Sequence, residues 1–212
     1  MTTKRDYSLG EEIGHSITHG IGAVFSIVGL TILIVLAMRT GDPWRLASAI
    51  VYGTSLVLLY TVSTLYHGFP WPRVKKVFQI LDHAMIFILI AGTYTPFTLV
   101  TLRNSGGGWF FVVVWSIALV GILVETLWRK RPRWLSMAMY LGMGWLAVVM
   151  VKPLLSALAP PGVWLLVAGG LSYTVGTIAY VSKRVPYLHM VWHLFVFAGT
   201  ILHFLAIAIY VI

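Results

Sequence analysis

The chain has 212 residues, of which 59% are apolar and only 10% charged, and its mean hydropathy is +0.89. A water-soluble domain carries nearer one quarter charged residues, so this composition excludes an ordinary soluble enzyme and places the chain in lipid. There is no cysteine, which excludes disulfides and thiolate metal sites and leaves histidine and carboxylate as the metal ligands available. The net charge of +9 raises nucleic acid as a partner, but the basic residues sit in short loops between apolar runs, where membrane topology accounts for them better.

In chain order, Ser8-Leu9-Gly10-Glu11 fits a capping box and predicts a helix from about Leu9. Residues 1–16 read as an interfacial N-terminal helix leading into a first span over 17–38, with Gly22, Ser26 and Gly29 forming a small-residue face. That first apolar run has no small-residue cleavage pattern behind it and six more follow, so it reads as a retained span. The others are expected at 46–67, 77–101, 109–127, 134–155, 161–181 and 189–211. Their connections carry turn formers such as Gly41-Asp42-Pro43, Pro70-Trp71-Pro72 and Pro160-Pro161. Trp44, Trp71, Trp109, Trp134 and Trp164 fall at predicted span ends, where amphipathic rings prefer to sit. No repeat or linker divides the chain, so 1–212 reads as one all-α domain of seven transmembrane helices.

Lysine and arginine set the orientation. Lys4, Arg5, Arg73, Lys75, Lys76, Arg129, Lys130, Arg131, Arg133, Lys183 and Arg184 share one side; only Arg39, Arg45, Arg103 and Lys152 lie on the other. The bias predicts a cytoplasmic N-terminus and, with seven spans, an outside C-terminus in a multi-pass protein of the cell membrane.

Orientation shows which polar residues share a depth. His67 falls at the cytoplasmic end of the second span, with Ser63 one turn deeper and Tyr60 and Thr64 completing a polar stripe. Asp82 lies about one turn into the third span, and His189 and His193, spaced to grip one ion from one helix face, open the seventh. The plainer reading of the pair is two interfacial histidines bonded to neighbouring helices. Three imidazoles with an open fourth position are the ligand set of a catalytic zinc. Asp82 has two readings: a fourth ligand, which makes the site a structural clamp, or a base holding a zinc-bound water near the cytoplasmic leaflet. Ser63 could orient that water or donate to a developing oxyanion, or simply bond a carbonyl one turn back.

Ser63-x-x-x-His67, Leu81-Asp82-His83 followed by Ala91-Gly92-Thr93-Tyr94-Thr95-Pro96-Phe97, and His189-x-x-x-His193 with His203-Phe204 beyond it resemble the haemolysin III family. These are small bacterial relatives of the progestin and adiponectin receptors (PAQR), and the resemblance extends to Glu11-Glu12 and Ser16-Ile17-Thr18-His19-Gly20. It implies seven helices with the N-terminus inside and zinc held by His67, His189 and His193, with Asp82 reaching the metal through water. The wider superfamily resembles alkaline ceramidases, which implies hydrolysis of a lipid amide or ester.

Other polar residues receive plainer readings. His15 and His19 are expected on an interfacial helix salt-bridged to Glu11 and Glu12, with a second metal site the lesser alternative. His83 is expected to bond between helices or support the site from behind, and His203 lies about 15 Å deeper than His193, too far to join it. Glu125 and Arg129 read as a structural i,i+4 pair. Pro96 should kink the third span, with Thr93 and Thr95 satisfying the carbonyls it frees. The function these residues point to is a membrane-embedded, zinc-dependent hydrolase acting on a lipid. The alternative is a non-catalytic zinc-stabilised sensor or a pore-forming cytolysin, with the bilayer and a lipid ligand as partners in either case.

Overall fold

A computed structural model describes residues 7–128, 130–181 and 185–212. The described residues contain no strand, and seven helical stretches in them are long and apolar enough to cross a membrane. The helices are α1 (Leu9–Thr40), α2 (Pro43–Gly68), α3 (Pro72–Pro96), α4 (Gly107–Leu127), α5 (Arg133–Gly144), α6 (Val151–Ala157), α7 (Pro160–Val181) and α8 (Leu188–Tyr210). Helices α5 and α6, joined by a 3-10 stretch over Trp145–Met150, together make the fifth span. Helix α1 packs against α2 and α8, α2 against α3, α3 against α4, and α7 against α8. Of the basic residues used for orientation, Lys4, Arg5, Arg129, Lys183 and Arg184 lie outside the described residues.

Helix α1 begins where the capping box predicts, with Ser8 capping it through Glu11. One unbroken helix of 32 residues runs from Leu9, about 48 Å long at 1.5 Å per residue. Its buried stripe is Glu12, His15, His19, Gly22, Ser26, Gly29, Leu33 and Ala37. The small residues let neighbours approach closely, as expected for packing in lipid: a Cβ on Gly22 would lie 2.5 Å from the Tyr60 ring, and one on Gly29 3.0 Å from Phe204. The same stripe carries both histidines into the bundle.

Two irregularities have identifiable causes. After Pro96 the third span ends in a π-turn over Phe97–Thr101, closed by the Leu102 N–H donating to the Phe97 carbonyl at 2.8 Å. The Thr93 and Thr95 hydroxyls donate to the Leu89 and Ala91 carbonyls. Neither reaches the Gly92 carbonyl four residues before the proline, so the expected compensation is not what these threonines do. In the fifth span the Tyr94 hydroxyl enters the helix ladder: it donates to the Gly144 carbonyl at 2.8 Å and accepts from the Ala147 N–H at 2.8 Å. A side chain inserted into the i→i−4 bonding breaks the α-helix there.

Candidate metal centre

Three elements converge where α1 begins. Glu12, in the first turn of α1, accepts from the Nδ1–H of His67 at the end of α2 and from Lys75 of α3, both at 2.8 Å. Glu11 accepts from the backbone N–H of Tyr187 at 3.0 Å. Tyr187 is in the left-handed conformation, φ 60°, and caps α8. Glu11 thus fixes the turn that delivers His189 and His193, while Glu12 fixes the ring of His67. The expected salt bridging of Glu11 and Glu12 to His15 and His19 does not occur: both carboxylates bridge to other helices, and the two histidines face inward.

The structure brings His67, His189 and His193 together. Their ring centroids are 5.3 Å (His67–His189), 5.2 Å (His67–His193) and 4.7 Å (His189–His193) apart. His15 joins them, 4.7 Å from His67 and 4.8 Å from His189. One ligand atom each from His15, His67 and His189 lies within 4.8 Å of the others. The Nε2 atoms of His189 and His193 are 3.1 Å apart, close to the roughly 3.3 Å that two nitrogens take at about 2.05 Å from one tetrahedral zinc.

The donor set fits a metal ion on a second count. With Glu12 taking its Nδ1–H, His67 is left with an Nε2 lone pair that is buried and has no hydrogen-bond partner. A carboxylate that orients a histidine in this way also raises its basicity as a ligand. Thr18, whose own hydroxyl donates to the Gly14 and His15 carbonyls, accepts from Nδ1–H of His193 at 3.1 Å, which aims the Nε2 lone pair of His193 at His189. Both ring nitrogens of His15 and of His19 are likewise buried without a partner. Unmade hydrogen bonds at buried polar atoms are costly, and a cation accepting those lone pairs removes the cost.

A cavity of about 70 Å³ adjoins the cluster, lined in part by Ser63, Asp82 and His83 with His19, His189 and His193. Its lining is mixed, these polar groups facing Leu59, Ile86, Trp192 and Val196, and it is large enough for a few water molecules. Asp82 and Ser63 therefore share walls with the histidine pair. His83 turns the other way as well: its Nδ1–H donates to Glu125 at 2.8 Å, which ties α3 to α4. Glu125 is paired with Arg131 of the following loop and accepts from Ser136; its expected partner Arg129 lies outside the described residues. His203 donates to the Gly199 carbonyl at 2.8 Å and stacks on Tyr173, away from the cluster.

Apolar helices around a buried histidine cluster at one end of the bundle define a multi-pass membrane protein with a polar centre. The chain belongs to the haemolysin-III related family, whose model matches residues 7–204. It is 43% identical to the hemolysin-3 homolog of Bacillus subtilis over 204 residues, covering 96% of each chain. It is also 43% identical to hemolysin-3 of Bacillus cereus over 210 residues, 99% of this chain and 96% of that one. The human monocyte to macrophage differentiation factor, a PAQR-family relative, is 29% identical over 208 residues, 93% of this chain and 83% of its own.

Proposed function

We propose that the chain is a single-domain, zinc-dependent hydrolase of the cell membrane that cleaves a lipid amide or ester. The observation that carries this reading is the cavity in which Asp82 and Ser63 share walls with His189 and His193. His67, His189 and His193 are the residues that would hold the zinc. When bound, the ion supplies a Lewis acid and lowers the pKa of a water from about 15.7 to around 7. The lysine and arginine bias supports a cytoplasmic position for this end of the bundle.

The chain's own residues do the rest. Asp82 accepts the proton as the water oxygen bonds to the substrate's carbonyl carbon. Ser63 donates a hydrogen bond to the carbonyl oxygen as negative charge develops on it. When the C–N or C–O bond breaks, Asp82 returns its proton to the leaving nitrogen or oxygen, so one water yields a fatty acid and an amine or alcohol. Leu59, Ile86, Trp192 and Val196 line the same cavity and form an apolar wall for the acyl chain.

Zinc content and fatty-acid release, measured on the purified chain and on Asp82→Asn, test the reading. The variant is expected to keep its zinc and lose about 100-fold or more in rate, the scale of a general acid–base contribution. Zinc binding with no fatty-acid release would leave only a zinc-stabilised sensor, and turnover indifferent to Asp82 would remove that residue from the chemistry. The Bacillus relatives are named hemolysins, and lysis by a pore needs a polar lining through the bilayer. The deeper inward-facing residues are Leu33, Ala37, Leu56 and Ile207 with separate hydroxyls such as Ser26, Ser55 and Thr200 and no charged side chain among them, which favours the hydrolase.

A further inference from the structure

We propose that His15 of α1 is a fourth imidazole ligand of the same ion, so that the metal clips α1 to α2 and α8. The inference rests on the zinc-site reading above and adds a residue to it. His15 is fully buried, and neither ring nitrogen has a hydrogen-bond partner. Its ring centroid lies 4.7 Å from His67, 4.8 Å from His189 and 5.3 Å from His193. No other residue of α1 competes for the role. His19 is as orphaned, but its ring stacks face to face on His193, 3.5 Å away with 16° between the planes. An ion in the plane of one such ring lies well out of the plane of the other, so His19 does not share an ion with His193. Tyr7 packs perpendicular to the His15 ring at 4.9 Å and stacks on His189 at 5.2 Å, which keeps the start of α1 closed over the cluster.

Four imidazoles make the closed shell of a structural zinc site. In this arrangement the fourth position opens to water or substrate only when His15 withdraws. His15 is thus a displaceable ligand, and hydrolysis per bound zinc should rise when it is removed.

The full-length protein in detergent is loaded with zinc alone. Bound imidazoles are counted by X-ray absorption, and affinity is measured by chelator competition, for the wild type, His15→Phe and His19→Phe. The expected result is four imidazoles in the wild type and three in His15→Phe. Zinc affinity should fall about 10-fold or more in His15→Phe, at least the loss typical of removing a group that merely supports a ligand, and stay within about 3-fold in His19→Phe. An unchanged count and affinity in His15→Phe overturn the inference and leave the three-histidine reading intact. A wild type that binds no zinc overturns both. If His15→Phe does not fold, the wild-type count decides alone: three imidazoles overturn the proposal and four sustain it.

Discussion

Two buried polar clusters lie at the same end of the bundle and differ in one respect. Around Glu125 the bonding is complete. Its carboxylate meets Arg131, the Nδ1–H of His83 and the Ser136 hydroxyl, and Arg131 also donates to the Glu125 and Trp128 carbonyls. In the histidine cluster, Nε2 of His67 and both nitrogens of His15 and His19 are buried with nothing to bond. A buried charge network satisfied internally joins helices and asks for nothing more. Buried ring nitrogens without partners could instead hold a cation, and this contrast distinguishes the two clusters although both are rich in ionisable groups.

The comparison breaks most sharply at Glu125. Replacing it with Ala strands Arg131, which has only 13% of its side chain exposed, and breaking such a pair from one side costs about 3–5 kcal/mol. Denaturant or thermal unfolding in detergent should show that loss while zinc content per folded protein stays level. His193→Ala should do the reverse. It is expected to abolish zinc binding and with it the zinc-dependent stabilisation, about 2.7 kcal/mol at a free ion concentration 100 times Kd, and to alter the apoprotein far less. If both variants lose zinc and stability alike, the distinction between the clusters fails.

Glu12 sharpens the comparison, because it orients a clustered histidine and is not itself one of the proposed ligands. Glu12→Gln removes the charge from the hydrogen bond to the ring of His67 and from the bridge to Lys75. Zinc affinity should drop about 10- to 100-fold, a change that chelator competition reads directly. An affinity unchanged by Glu12→Gln would mean that the carboxylate serves only to tether α1.

What could be read from the sequence, and what could not, follows the range of the interactions. Orientation and depth were enough to bring Ser63, His67, Asp82, His189 and His193 to one layer, because helix rise converts sequence position into depth. The inward turn of His15 and His19 carries a weaker signal that the sequence nonetheless contains. Gly22, Ser26 and Gly29 already marked the packing face of α1, and continuing that three-and-four spacing backwards gives His19, His15 and Glu12. The local i,i+4 pairing with Glu11 and Glu12 masks that longer pattern, whereas in the folded chain those carboxylates serve His67, Lys75 and Tyr187. Arg131 as the partner of Glu125 had no helical spacing to announce it, since it lies in the loop beyond α4. The break in the fifth span depends on Tyr94, 50 residues from Gly144 in sequence, and no local pattern reports such a contact.

That break supplies the smallest expected effect. The Tyr94 hydroxyl stands between the Gly144 carbonyl and the Ala147 N–H and serves both. Tyr94→Phe keeps the ring and its edge contact with Phe110 at 5.8 Å but removes the oxygen. The Gly144 carbonyl and the Ala147 N–H then keep only the i→i+3 bond of the 3-10 stretch, a loss of about 1 kcal/mol if the helix stays broken. The span can recover part of this by closing the ordinary ladder, with the Ala147 N–H returning to the Met143 carbonyl. Hydrogen exchange at Ala147 separates the two outcomes: faster exchange means the break persists, and slower exchange means the helix has closed. In either case zinc content should be untouched, because the hydroxyl serves the far half of the bundle and touches none of the clustered histidines.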